Sequence, residues 1–151
     1  MSQQSLTATM GGTANDNAWQ PLVGRILLVV VFAVAGLGKI PGYDGTAQYM
    51  AMNGIPLVSI ALPVTIAVEI GASVLIIIGY QTRWAALALA AFTLAASLIF
   101  HQFWAVPAEQ AQLQSVMFFK NLGLIGGLLL LANWGPGRLS LDSRLATRHN
   151  S

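Results

Sequence analysis

The 151 residues are 56% hydrophobic and only 8% charged, with a net charge of +2 and no cysteine. Soluble domains carry about 25% charged residues, so this balance points to a membrane protein; no basic patch with interleaved aromatics is present to support nucleic-acid binding. Without thiols the chain itself has no disulfide, no cysteine-ligated zinc or iron–sulfur cluster, and no thiol chemistry.

Residues 1–18 are small and polar with Asp16 as the one charge. They read as a disordered tail and lack the basic start of a signal peptide. A first apolar span covers about 23–40, behind Trp19 and Pro21. Arg25, the run Ile26–Phe32 and Ala33-Val34-Ala35 imitate a cleavable signal, but the apolar character continues past Ala35 and three more spans follow. Lys39, at the far end, is expected to snorkel to the interface. Pro41 to Pro56 reads as a connection holding a short helix from Gly45 to Met52, N-capped by Asp44 and stopped at Asn53-Gly54. Its Tyr43, Tyr49, Met50 and Met52 suit a membrane surface.

The second span, about 57–79, is almost unbroken apolar sequence around one carboxylate, Glu69. A central charge costs about 2.5–3.5 kcal/mol, and each central Leu, Ile or Val returns about 0.3–0.6 kcal/mol. The thirteen such residues from Leu57 to Ile78 outweigh Glu69, so the span inserts and its acid must face a partner or a wet cavity. Pro63 predicts a kink, and Thr65, Glu69 and Ser73 share one face. Gly79-Tyr80-Gln81-Thr82-Arg83 allows only a tight turn, making spans two and three antiparallel neighbours. The alanine-rich third span, about 84–103, carries Thr93, Ser97 and His101 at helical spacing. After a connection through Trp104 to Gln112, with Pro107 and Glu109 as a helix start, the fourth span covers about 113–133. It holds Lys120-Asn121 and a GxxxG pair, Gly123 and Gly127, suited to packing a neighbouring helix. Trp134-Gly135-Pro136-Gly137 ends it, and 138–151 reads as a cytoplasmic tail.

The fold class is all-α: an integral membrane four-helix bundle in a single domain, residues 19–137. Arg25, Arg83, Arg138, Arg144 and Arg148 fall on one side of the membrane, against Lys39 and the deeper Lys120 on the other. The positive-inside rule makes this N-in/C-in, a multi-pass protein of a bacterial inner membrane with its two long connections outside.

Lys39, Glu69, His101 and Lys120 lie within or at the edge of these spans. Depths counted from the span centres bring Glu69 and Lys120 to about 6 Å of each other along the membrane normal, close enough to pair. His101 and Lys39 lie about 10–12 Å above the midplane. Together with Asn121 and Trp104 these residues form a candidate polar column entering from outside and ending at Glu69, with Gln112 and Gln114 at its mouth. An internal salt bridge with snorkelling residues explains the same pattern structurally. Buried ion pairs are weak evidence for stability, because desolvation offsets their attraction, and that favours a binding or proton-handling role. A single histidine in the spans is a poor metal site. No Ser-His-Asp arrangement, phosphate loop or paired acids appear, so no catalytic residue is assigned.

In order and spacing, several segments resemble the DoxX family, and within it the YphA-like inner-membrane proteins. They are Gly36-Leu37-Gly38-Lys39-Ile40, Gly45-Thr46-Ala47-Gln48-Tyr49-Met50, Gly54-Ile55-Pro56, Glu69, and Gly79-Tyr80-Gln81-Thr82-Arg83. Further along come His101-Gln102-Phe103-Trp104, Phe119-Lys120-Asn121 and Gly135-Pro136-Gly137-Arg138-Leu139-Ser140-Leu141-Asp142. The resemblance implies a small four-span membrane protein. The family takes its name from a membrane subunit of an archaeal terminal oxidase and thiosulfate:quinone oxidoreductase. Mycobacterial relatives are linked to a membrane complex with a sulfurtransferase and a superoxide dismutase. It therefore implies a membrane subunit of a quinone-linked redox or oxidative-stress complex, with quinone as the cofactor to expect. Two readings stand beside it: a non-catalytic anchor or assembly partner, and a small-molecule permease. The partners expected are the bilayer, other membrane or redox subunits, and further copies of the chain.

Overall fold

The computed structural model describes residues 18–149, so the expected disordered tail lies outside the described residues except for Ala18. Six helices follow in order: α1 (Trp19–Lys39), α2 (Tyr43–Met52), α3 (Val58–Ile78), α4 (Thr82–Phe100), α5 (Ala108–Trp134) and α6 (Leu141–His149). Four of them, α1, α3, α4 and α5, are long and apolar enough to cross a membrane. These are the four expected spans, shifted by a few residues. α4 stops at Phe100, with His101 already outside it at φ −124°. α5 starts five residues before the expected span, directly after Pro107, whose fixed φ suits the cap position.

α1 packs along α3, α3 against α4, and α4 against α5, whereas α1 and α5 touch in few places. Val29 of α1, Ile76 of α3, Leu89 of α4 and Leu128 of α5 are fully buried at the centre. Alanines 85, 86 and 90 let α4 sit deep among its neighbours. Gly36 brings α1 close to α3: a Cβ there would stand 2.8 Å from Ile70 Cγ1 and 3.1 Å from Glu69 Cβ. Of the GxxxG pair, only Gly127 meets a neighbour, Leu28 Cδ1 at 2.9 Å from an added Cβ, while Gly123 faces open space. Ser73 Oγ donates to Val29 O across the α1–α3 contact. α3 continues as a helix through Pro63.

Outward positions are apolar too: Leu27, Val34 and Ile60 are 60% or more exposed. Such a surface has no place in water and matches a hydrocarbon belt. Exposed Trp19, Trp84 and Trp134 ring one end and Trp104 marks the other, as interfacial aromatics do.

The arginine-rich end is more ordered than a polar tail would be. Arg25 is buried and donates to the carbonyls of Pro136, Ile77 and Leu139, so it ties α1 to the ends of α3 and α5. The Asp142 carboxylate accepts from the backbone N–H groups of Gln81 and Thr82 at 2.9 and 3.1 Å, capping α4 from another part of the chain. Gln81, held at φ 49°, takes its left-handed turn under that clasp. Gly79 is required here: its φ is +72°, and a Cβ would collide with Ser140. Residues expected as tail form α6 because Ser140 caps it, accepting from Ser143 N–H at 3.1 Å.

Candidate functional site

The feature that organises the outer half of the bundle is a charged pair between α1 and α3. Lys39 Nζ donates to both Glu69 oxygens, at 2.9 and 2.8 Å, and to Ala35 O at 3.4 Å. The Glu69 side chain is 6% exposed and that of Lys39 23%. The expected Glu69–Lys120 pair is therefore not formed, and Lys39 does not snorkel outward. The cause is Gly36, less than one turn before Lys39, which seats α1 directly on Glu69 and brings the lysine stem within reach. Lys120, on exposed α5 surface, donates instead to Met117 Sδ at 3.5 Å.

The pair lines a cavity of about 320 Å³ to which five helices contribute. Lys39, Glu69, His101, Lys120 and Asn121 all line it. Trp104 does not; it packs edge-on against Phe103 and Phe118 in an aromatic cluster at the outer surface. His101 Nδ1 bonds Gln114 Oε1 at 2.8 Å; with the amide oxygen accepting, Nδ1 carries the hydrogen. Gln112 is exposed and is absent from the wall. Asn121 also serves the bundle, donating to Ser97 Oγ at 2.9 Å; Ser97 in turn donates to Thr93 O.

Two wall features carry no sequence signature strong enough to place them. Thr46, Tyr49 and Met50 of α2 roof the cavity, and Tyr49 stacks on Phe100 at 5.4 Å between ring centroids. α2 begins at Tyr43, so Asp44 sits in its first turn, favourable to the helix dipole, without acting as the cap. Phe32 and Phe92 add aromatic surface, indistinguishable in sequence from lipid-facing phenylalanines. A second cavity of about 370 Å³ opens at the opposite end among Gln81, Trp84, Trp134 and Asp142, where the carboxylate is already committed to capping α4.

The outer cavity is walled on one side by α1 and on the other by α5, two helices that touch in few places. Val31 of α1 and Lys120 of α5 both line it and are both exposed. It can therefore hold an aromatic ring against Tyr49, Phe92 and Phe100, offer it charged and hydrogen-bonding groups, and leave an apolar tail an exit between α1 and α5.

Fold and site together define a small multi-pass membrane bundle with a charged pair inside its outer half. The chain belongs to the DoxX family, whose profile matches residues 20–102. It is 45% identical over 124 residues to inner membrane protein YqjF of Escherichia coli K12, covering 82% of this chain and 90% of that one. Inner membrane protein YphA of the same organism is 37% identical over 123 residues, covering 82% and 88%. The chain is accordingly a multi-pass inner-membrane protein. It is also 30% identical over 132 residues to a Surfeit locus protein 4 homolog of Schizosaccharomyces pombe, spanning 86% of this chain but 39% of that longer protein. No solved structure matches the chain.

Proposed function

We propose that this protein is the quinone-binding membrane subunit of a redox complex, with its outer-half cavity receiving the quinone head and its α1–α5 gap the tail. The observation that carries this reading is the conjunction, in one cavity of about 320 Å³, of the Phe32, Tyr49, Phe92 and Phe100 rings with Glu69, Lys39, His101 and Lys120. That volume is at the lower end of small-molecule sites and suits a single ring system. Reduction of a quinone to a quinol takes two electrons and two protons. Glu69 and His101 are titratable groups at the cavity wall that can pass those protons from the outer surface. A partner subunit supplies the electrons.

The test is the quinone content of protein purified in mild detergent, measured by extraction and mass spectrometry. Wild type should retain about one quinone per chain, and Ala96→Phe, which fills the cavity without removing a charged group, should lose it. Equal quinone in both samples, or none in wild type, contradicts the proposal.

A second reading, a non-catalytic anchor, is favoured by one observation. α5 is the least buried of the four spans and exposes Leu113, Val116 and Phe119 along one side, a surface that a neighbouring subunit could cover. Loss of a co-purifying partner on changing these three residues, with Glu69→Gln harmless, would select it.

A further inference from the structure

The charges at the outer cavity do not balance. Lys39 and Glu69 neutralise each other at 2.8 Å. His101 is engaged by Gln114. That leaves the Lys120 ammonium, which donates to the Met117 thioether sulfur, a weak acceptor that carries no charge. Among the described residues no ion pair joins Lys120 to a carboxylate. Asp142 caps α4 at the opposite end, and Glu109 is eleven residues earlier on α5, about 16 Å along the axis. Asp44 lies in the first turn of α2, and no ion pair joins it to Lys120. Counted from Trp134, Lys120 is fourteen residues up α5, about 21 Å, which sets its Cα some 6 Å outward of the middle of a 30 Å hydrocarbon layer. An ammonium at such depth demands an anion or a wet cavity, and the cavity wall is where its side chain lies.

We infer that Lys120 is the counter-ion of the cavity's ligand: the site selects an amphiphile whose ring bears an anionic oxygen, over a neutral molecule of the same shape. This inference rests on the cavity being a ligand site and adds the charge of what it takes. The ligand class is an acidic aromatic or enol-type amphiphile, with its oxyanion on Lys120, its ring among Tyr49, Phe92 and Phe100, and its chain leaving between α1 and α5. The Lys39–Glu69 pair remains intact in the wall beside it. In the redox reading, the same ammonium stabilises the oxyanion of a partly protonated quinol.

The test uses a matched pair of probes on the full chain in neutral-lipid nanodiscs at neutral pH. One is a 2-hydroxy-3-decyl-1,4-naphthoquinone, ionised under these conditions, and the other its 2-methoxy counterpart, which cannot ionise. Wild type should bind the hydroxy probe at least about tenfold tighter than the methoxy probe, corresponding to about 1.4 kcal/mol. Lys120→Met should bring the two affinities to within about twofold by weakening the hydroxy probe alone, and Lys120→Arg should keep the preference. Unaltered binding of the methoxy probe in Lys120→Met serves as the check that the cavity survives the substitution. Both probes binding wild type without preference, or a preference that persists in Lys120→Met, overturns the counter-ion assignment while leaving the cavity as a site. Neither probe binding wild type overturns the cavity reading itself.

Discussion

Removing Glu69 should cost more than removing a typical surface charge, and the cost should disappear when Lys39 is removed with it. In Glu69→Leu the ammonium loses two bonds of 2.8–2.9 Å and keeps only the longer one to Ala35 O. Stripping one partner from a buried pair costs about 3–5 kcal/mol. The 23% exposure of the Lys39 side chain lets lipid headgroups or water relieve part of that, which sets Glu69→Leu near about 3 kcal/mol. Lys39→Met strands a carboxylate only 6% exposed and should approach about 5 kcal/mol. The double variant Lys39→Met/Glu69→Leu replaces the pair by apolar groups and should lie within about 1 kcal/mol of wild type, or above it. Equilibrium unfolding by SDS in mixed micelles, followed by circular dichroism, reads all four proteins. Single variants indistinguishable from wild type, or a double variant equal to the sum of the singles, would refute the pairing and with it the organisation of the cavity.

At the arginine-rich end, Arg25→Met should destabilise by at least about 3 kcal/mol in the same assay, because a charged donor to three carbonyls is lost; Arg25→Lys should recover part of this. Asp142→Ala removes the cap of α4 and should cost about 0.5–2 kcal/mol, with faster amide exchange at Gln81 and Thr82 as the local signature. Two glycines should respond in opposite ways. Gly79→Ala, at φ +72° and against Ser140, should impair folding severely, whereas Gly123→Ala, with open space around it, should be neutral or stabilise by up to about 1 kcal/mol. Because the chain has no native cysteine, Ser143→Cys can be labelled in spheroplasts: an impermeant maleimide should react only after the membrane is opened.

The membrane architecture was legible because four apolar runs and a one-sided arginine distribution are properties of composition and order. The turn at Gly79–Arg83 and the stop at Trp134-Gly135-Pro136-Gly137 were equally readable from glycine, proline and length. Which lysine meets Glu69 was not. Depth counted from span centres treats helices as parallel rods of equal height, while the actual contact is set by the absence of a Cβ at Gly36. Lys39 and Lys120 carry the same sequence signature, and only packing separates a paired ammonium from an unpaired one. Arg25 reads as an orientation signal in sequence, yet its guanidinium also fastens three segments, a role that depends on carbonyls more than fifty residues away. α6 had a signal in Ser140-Leu141-Asp142-Ser143, a serine cap followed by an acid in the first turn, that a reading of the tail as merely polar passes over.

The central claim is that the outer cavity is where a ring-bearing amphiphile binds, and photolabelling tests it most directly. Purified chain in nanodiscs would be irradiated with an azido-substituted short-chain quinone, digested, and mapped by mass spectrometry. Label concentrated on cavity residues such as Val31, Phe92 and Leu124, and abolished by Ala96→Phe, is the result expected. Label spread over lipid-facing positions such as Leu27 and Leu129, unchanged by Ala96→Phe, would contradict the account and leave the charged pair as a structural tie alone.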